Sequence, residues 1–368
     1  MTPACAVAAR APGKLILCGE HGVVYGAPAL ALAVDRYVTV TVRAWAKPGL
    51  RLQGNPFTPA TDWPLASAPG LKAELEMRHA RFRAGELPAA EILRAPAEFI
   101  QYAAAQVLAD AAAPRAGCVV EIASDIPFGS GMGSSAALAL ALTRALAAYW
   151  RIPVRRERLY AWARQAENLR HGRSSGLDPR VCLHGGGIRF QAGRHVPLTR
   201  VPPRLLLAQT GVPLTGTGDC VEAVAQRSGE NGPWREMTAI TRRLAAALAA
   251  ADQSAQQAAL RAQQRLLTRL GVTPAPVPAF IRPLEQTGAA AKICGAGAVA
   301  GRAAGLVWII SDDEPAVTAL ARAAGYDLFS VRPALQGARL LRQKECSLSR
   351  TQSGASAVRM LAAGGRVR

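Results

Sequence analysis

Apolar and polar positions follow two different periods along this chain, and each period returns several times. Residues 34–44, VDRYVTVTVRA, alternate with β-branched residues and predict a half-buried strand. CVVEIASDIP predicts a strand ended by its proline, and GGGIRF, LLLAQT, GLVWII and LFSVRP read the same way. Between them the period becomes helical. Residues 89–113 predict a helix interrupted at Pro96, and SSAALALALTRALAAYW predicts one that is apolar on most faces and therefore buried between layers. Residues 155–170 predict a helix ending near His171 and Gly172, and more helices fall within 219–270. A Pro-rich break at TPAPVPAF and one further helix come next, then a strand, helix, strand unit from GLVWIISDD through EPAVTALARAAGYD to LFSVRP. The segment KPGLRLQGNPFTPATDWPLASAPG reads as loop. Strands and helices mix throughout, which excludes a pure sandwich or bundle, and no fixed-period repeat is present.

A chain of 368 residues exceeds what one hydrophobic core usually fills, so two domains are expected. The formal charge of +19 changes the picture more than the length does. It comes from 44 Lys and Arg against 25 Asp and Glu, and only Lys14, Lys47, Lys72, Lys292 and Lys344 are lysines. Arg, Ala, Gly and Pro together are what a GC-rich coding sequence favours. The arginines are scattered without an aromatic-interleaved strip, so no nucleic-acid partner is expected and a small phosphate is the better anion. Seven scattered cysteines, without a C-x-x-C pair, indicate neither a disulfide framework nor a zinc site. No apolar run is long enough to span a membrane and no leader pattern opens the chain, so a cytoplasmic protein with no membrane partner is expected. Residues 343–368 lack apolar periodicity and read as a basic, flexible tail.

Four segments carry chemistry. In PFGSGMGSSAA, Gly129, Gly131 and Gly133 let backbone N–H groups approach a ligand closely, and a helix starting at Ser134 and Ser135 adds unpaired donors. Either hydroxyl suits a helix cap, and one also suits a metal on the phosphates. Neither the G-x-x-x-x-G-K-[ST] loop nor the G-x-G-x-x-G order is present. In ENLRHGRSSGLD, Gly172 and Gly176 turn the chain so that Asp178 returns beside Glu167, and two carboxylates there suit a metal ligand and a base. Pro179 pushes Asp178 toward an extended conformation. In APGKLILCGEHGVVYGAPALALA, Lys14 is a lysine kept in an Arg-biased chain, which points to a site wanting a compact charge. Glu20 and His21 lie in a Gly-flanked turn, where His21 suits either a substrate contact or a structural role. KICGAGAVAGRAAG reads as a second glycine-rich loop facing the first across a cleft.

In this order the four segments resemble the GHMP kinase superfamily over residues 10 to about 340, and within it the mevalonate kinase branch. The resemblance implies an α+β protein of two domains. Residues 1–190 would form the ATP-binding domain, similar to ribosomal protein S5 domain 2, residues 191–342 a ferredoxin-like domain, and 343–368 the tail. It implies transfer of the ATP γ-phosphoryl group to the C5 hydroxyl of (R)-mevalonate in isoprenoid biosynthesis, with Mg²⁺. Carried over by motif, Asp178 matches the catalytic base and Lys14 the lysine that holds it. Ser135 and Glu167 match the Mg²⁺ ligands. Gly129, Ser130, Gly131, Met132, Gly133, Ser134 and Ser135 match the phosphate loop, and Glu20 and His21 match positions near the substrate. Family members are often dimers, so a homodimer is the assembly the resemblance points to. The chain departs from the family at Cys294, at Ala298, Val299 and Ala300 in the third motif, at Ser174 where Pro is usual, and at Pro179 and Arg180 after the aspartate. Those departures leave open another small alcohol, such as phosphomevalonate or a sugar, and a non-catalytic binding protein of the same fold.

Overall fold

The computed structural model describes residues 6–53, 60–110, 116–127 and 129–342, so the predicted tail and Phe128 lie outside the described residues. The chain forms β1 (Val7–Cys18), β2 (Ala29–Ala44), β3 (Gly49–Gln53) and β4 (Thr61–Pro64), then helices α1 (Ala68–Arg83) and α2 (Pro96–Ala109). β5 (Cys118–Ser124) leads to α3 (Ser134–Tyr149), α4 (Arg156–His171) and α5 (Leu177–His184), and the hairpin β6 (Gly187–Gln191) and β7 (Arg194–Pro197) follows. The second half runs β8 (Leu205–Gln209), α6 (Thr217–Arg227), α7 (Trp234–Ala250), α8 (Gln253–Arg269), α9 (Pro276–Gln286), β9 (Ala290–Cys294) and β10 (Leu306–Ile310). It closes with α10 (Glu314–Ala323), β11 (Asp327–Val331) and β12 (Arg339–Leu340).

Two sheets divide these strands. The first has the order β12-β1-β2-β5-β3-β4, and β2 is long enough to pair β5 with one half and β6 with the other. β7 extends this sheet past residue 190, and β12 returns to it from near residue 340. The second sheet has the order β11-β8-β10-β9, all antiparallel, which is the split arrangement of a ferredoxin-like unit. Together the two sheets make an α+β protein, the class that the resemblance implies. The apolar side chains of both belong to one contiguous core. Among the described residues no helix is long and apolar enough to cross a membrane.

α3 is the helix buried between layers that its composition predicts, with Ala and Leu packed on nearly every face. Two expectations need correction. The first is the loop assigned to residues 47–70, which holds β3, β4 and the start of α1. α1 carries only a thin apolar face, with Leu75 in the core and Leu71 and Phe82 packed against it, and charged contacts add to its hold. Arg78, buried, pairs with Glu74 and with Glu98 at 3.1 Å, and Tyr102 donates to Glu76 at 3.0 Å. The second is the Pro-rich break, where α9 in fact begins. Pro276 occupies a first-turn position whose missing N–H costs nothing.

β1 brings the chemistry to the core. Its pairing with β2 shifts register between Pro12 and Gly13, and just beyond the shift the Lys14 amide donates to the Met132 carbonyl at 2.8 Å. A Cβ on Gly13 would lie 2.9 Å from that same carbonyl oxygen and 3.0 Å from Ile126. The strand and the glycine-rich loop therefore touch through bare backbone. Gly13→Ala is expected to cost about 1–3 kcal/mol through overpacking, read as a lower midpoint in urea denaturation; an unchanged midpoint would show that the loop yields freely.

Candidate active site

The glycine-rich loop enters α3 through three residues in the left-handed region, Gly129, Gly131 and Gly133 with φ of 66°, 77° and 68°. Gly133 itself is the N-cap of α3, and no side chain caps the helix, so Ser134 and Ser135 occupy its first turn with their hydroxyls uncommitted to capping. That corrects the capping role expected of them. Ser130 is buried, its hydroxyl accepting from the Met132 amide at 3.4 Å, and Met132 is buried as well. A Cβ on Gly133 would meet the Lys14 side chain at 2.8 Å, which places the lysine stem directly beneath the loop.

Lys14, buried on β1, reaches Asp178 with Nζ 3.0 Å from Oδ2. Burial alone would lower the lysine pKa, but the charge and hydrogen bond of Asp178 outweigh it and the net shift is upward. Asp178 stands in the first turn of α5, not in the extended conformation expected from Pro179; the proline falls within the helix's first turn, where its backbone is accommodated. The two turn glycines do what the spacing requires. Gly172 has φ 73° and a Cβ there would strike the Phe82 ring; Gly176 has φ 85° and faces the Tyr160 hydroxyl. The turn is anchored from α1, because His79 Nε2 lies 2.8 Å from the Gly172 carbonyl and must donate to it. Ser174 compensates for the usual proline. Its amide donates to Asn168 at 2.9 Å and its hydroxyl accepts from the Gly176 amide at 3.2 Å. Arg180 points away, pairing with Glu157 at 2.6 Å and lying 3.5 Å over the Tyr160 ring.

Glu167, on α4, is 2 % exposed, and its Oε1 has no hydrogen-bond partner. Burial, reinforced by the Asp178 charge, pushes its pKa up to about 7, while a hydrogen bond from Ser135 and the Lys14 charge act in the opposite sense. His171 lies 3.6 Å from the other carboxylate oxygen, but burial brings its pKa down to about 4, leaving it neutral near pH 7. Glu167, Ser135, Lys14 and Asp178 thus form one electrostatic unit under the first glycine loop. An orphaned carboxylate oxygen and a hydroxyl are hard oxygen donors, and the pair suits Mg²⁺ that takes its other ligands from phosphate and water.

Glu20 and His21 sit apart from that unit, at the far end of β1. Both are buried. Glu20 pairs with Lys292 of β9, and His21 Nε2 is 3.0 Å from the Ala296 carbonyl. Burial lowers the His21 pKa, so the ring is neutral, donates from Nε2 and leaves Nδ1 without a partner. The second glycine loop does face the first: a Cβ on Gly131 would sit 3.4 Å from the Cys294 carbonyl, and one on Gly305 3.2 Å from the Ser130 carbonyl. Its departures are tied inward. The amides of Ala298 and Val299 donate to the Val272 carbonyl at 2.9 Å and the Thr215 hydroxyl at 3.2 Å, so they are not free phosphate donors. Lys292 and Gln263, which hold Glu20, were not singled out by the motif reading. The signal for Lys292 was available, since it is another of the few lysines in an Arg-biased chain.

The chain is similar to known proteins along much of its length. The mevalonate kinase of Arabidopsis thaliana is 30 % identical over 339 residues, covering 79 % of this chain and 88 % of its own length. The chain belongs to the GHMP kinase family. The family's N-terminal domain, described as "GHMP kinases N terminal domain", matches residues 98–186, which hold the first glycine loop, Glu167 and Asp178. The Pyrococcus furiosus mevalonate kinase is 30 % identical over 239 residues, 64 % of this chain, and the match spans 62 % of that relative's length. Among solved structures, the Methanococcus jannaschii mevalonate kinase superposes with a TM-score of 0.70 at 17 % identity, covering 89 % of this chain and 98 % of that one. The Lactococcus lactis galactokinase, solved with galactose, reaches 0.71 at 16 % identity over 91 % of this chain and 95 % of that one. These structures share the family fold.

The raised Glu167 pKa sets a sign for stability. The folded protein holds this proton more tightly than the unfolded chain, so the stabilising contribution is present at low pH and is lost as pH rises through about 7. Glu167→Gln is therefore expected to stabilise the unliganded protein at pH 8 by on the order of 1–3 kcal/mol, and not at pH 4. Thermal melting of both proteins across that range checks it.

Proposed function

We propose that this protein transfers the γ-phosphoryl group of ATP to the C5 hydroxyl of (R)-mevalonate, with residues 1–190 supplying the nucleotide site and 191–342 closing the substrate side. The observation that carries the reading is the Lys14 and Asp178 ion pair at 3.0 Å beneath the glycine loop, beside a buried carboxylate with a free oxygen. A binding protein has no use for a half-buried carboxylate, a paired lysine and a desolvated acid in one place. The names of the curated relatives supply the substrate.

The chain's own groups divide the work. Of the amides of residues 129–135, at the positive end of α3, those of Ser130 and Met132 donate within the loop and the others bind the phosphates. Ser135 and Glu167 would hold Mg²⁺, which when bound neutralises charge on the phosphate oxygens. Asp178 Oδ2 accepts the proton of the attacking hydroxyl as the oxygen–phosphorus bond forms. Lys14 orients that carboxylate through their ion pair, and its charge faces the phosphoryl oxygens from below the loop. Glu20 and His21 border the substrate, where the free Nδ1 of a neutral His21 can accept only from a donor such as a hydroxyl.

A substrate panel tests the reading. Coupled ADP release should saturate with (R)-mevalonate and stay near background with 5-phosphomevalonate, galactose and homoserine; turnover of another alcohol alone would move the substrate and keep the chemistry. Asp178→Asn should lower kcat by about 10³-fold or more while leaving MgATP affinity within about threefold, because the amide cannot take the proton. Retention of a tenth of wild-type kcat would remove Asp178 from the role of base.

A further inference from the structure

Lys292 is fully buried in the middle of β9, and its ammonium is committed to two acceptors on β1 and just beyond it. It pairs with Glu20 Oε1 and donates to the Ile16 carbonyl at 3.3 Å. The second oxygen of Glu20 accepts from Gln263 Nε2 of α8 at 3.1 Å, and Gln263 Oε1 in turn accepts from the Cys18 thiol at 3.4 Å. Both oxygens of the carboxylate are thereby satisfied by groups of the second half of the chain. His21 repeats the link one residue on, through the Ala296 carbonyl.

A buried ion pair is poor evidence for stability, since well-packed apolar residues of similar volume often do as well. Its value here lies in where it sits. Cys294 and Gly295, two and three residues beyond Lys292, are where the second glycine loop meets Gly131 of the first: a Cβ on Gly131 would lie 3.4 Å from the Cys294 carbonyl oxygen and one on Gly295 3.8 Å from the Gly131 carbonyl oxygen, so the two loops approach to van der Waals range. A slide of β9 along β1 would alter the width of the cradle directly.

We propose that Lys292 is a positioning residue: its ion pair with Glu20 locks β9 to the end of β1 and so fixes the gap between the two glycine-rich loops. The proposal rests on the phosphotransfer reading for its kinetic consequence but not for its structural one. Lys292 touches neither phosphate nor substrate in this role; it acts through Glu20 and the loop.

The test is a double-mutant cycle of Lys292→Met and Glu20→Gln in the full chain, with Gln263→Leu as a milder variant that leaves the ion pair in place. Each of the two single variants is expected to lose about tenfold or more in kcat, and the double no more than the worse single, because both break one unit. KM for MgATP should move by less than about threefold. Amide hydrogen exchange should rise at 129–133 and 295–305 and remain as in wild type in α10 and β11. A Lys292→Met protein with kcat within about twofold of wild type, or additive losses in the double, would overturn the proposal. Should Lys292→Met not fold, Gln263→Leu decides: a smaller kcat loss with the same local exchange pattern upholds it, and unchanged exchange overturns it. If wild-type protein turns over no alcohol, the phosphotransfer reading fails by itself, and exchange in the variants still reports whether Lys292 holds the loops.

Discussion

One buried ammonium has to balance carboxylates carried by two different helices, and the rest of the site follows from that requirement. Lys14 feels both Asp178 and Glu167 from a position on β1. Lys14 and Glu167 are shut off from water, while Asp178 keeps 27 % of its side chain exposed, so the two inner charges must be placed by backbone. α5 begins where it does to present Asp178, α4 ends where it does to keep Glu167 inside, and the glycine loop passes over the lysine stem with no side chain between them. Glu167 is the member left without a full partner, and its raised pKa is the mark of that deficit. Sites of this kind trade folding stability for binding energy that is recovered when a ligand arrives.

The legible parts of the sequence were those with a local cause. β2, α3 and α4 announce themselves by period, and the turn at Gly172 and Gly176 by the need for left-handed backbone. Lys14, Asp178, Ser135 and Glu167 fall together because motif order carries information that no single motif holds. What escaped was non-local. α1 has only a thin apolar face, Leu71, Leu75 and Phe82, broken by Arg78 between two carboxylates, and His79 ties it to a turn about 90 residues away in sequence. Asp178 is helical because tertiary contacts at α5 override the bias of the residue before a proline. The partners of Glu20 come from residues 263 and 292, and no spacing rule connects them to residue 20.

The third motif shows how a family departure can be absorbed. Where other members carry glycines, the amides of Ala298 and Val299 are tied to Val272 and Thr215, and Ala300 is exposed. The loop is thus held from behind by the second half of the chain, while Gly295 and Gly305 remain bare where the loops approach. The amides of Ala298 and Val299 are spent on holding the loop, and glycine stands where the two loops come together.

β12 carries a consequence for how this protein comes into being. Ala9 pairs with Leu340 and Arg10 with Arg339, so the strand that bears Lys14 has one edge covered by a segment more than three hundred residues downstream. During synthesis β1 leaves the ribosome first and must wait, with that edge open, until almost the whole described chain has followed. The contact is among the most distant in sequence that the fold contains, and such closures are slow to form. Lys14 thus lies in the strand whose surroundings are completed last.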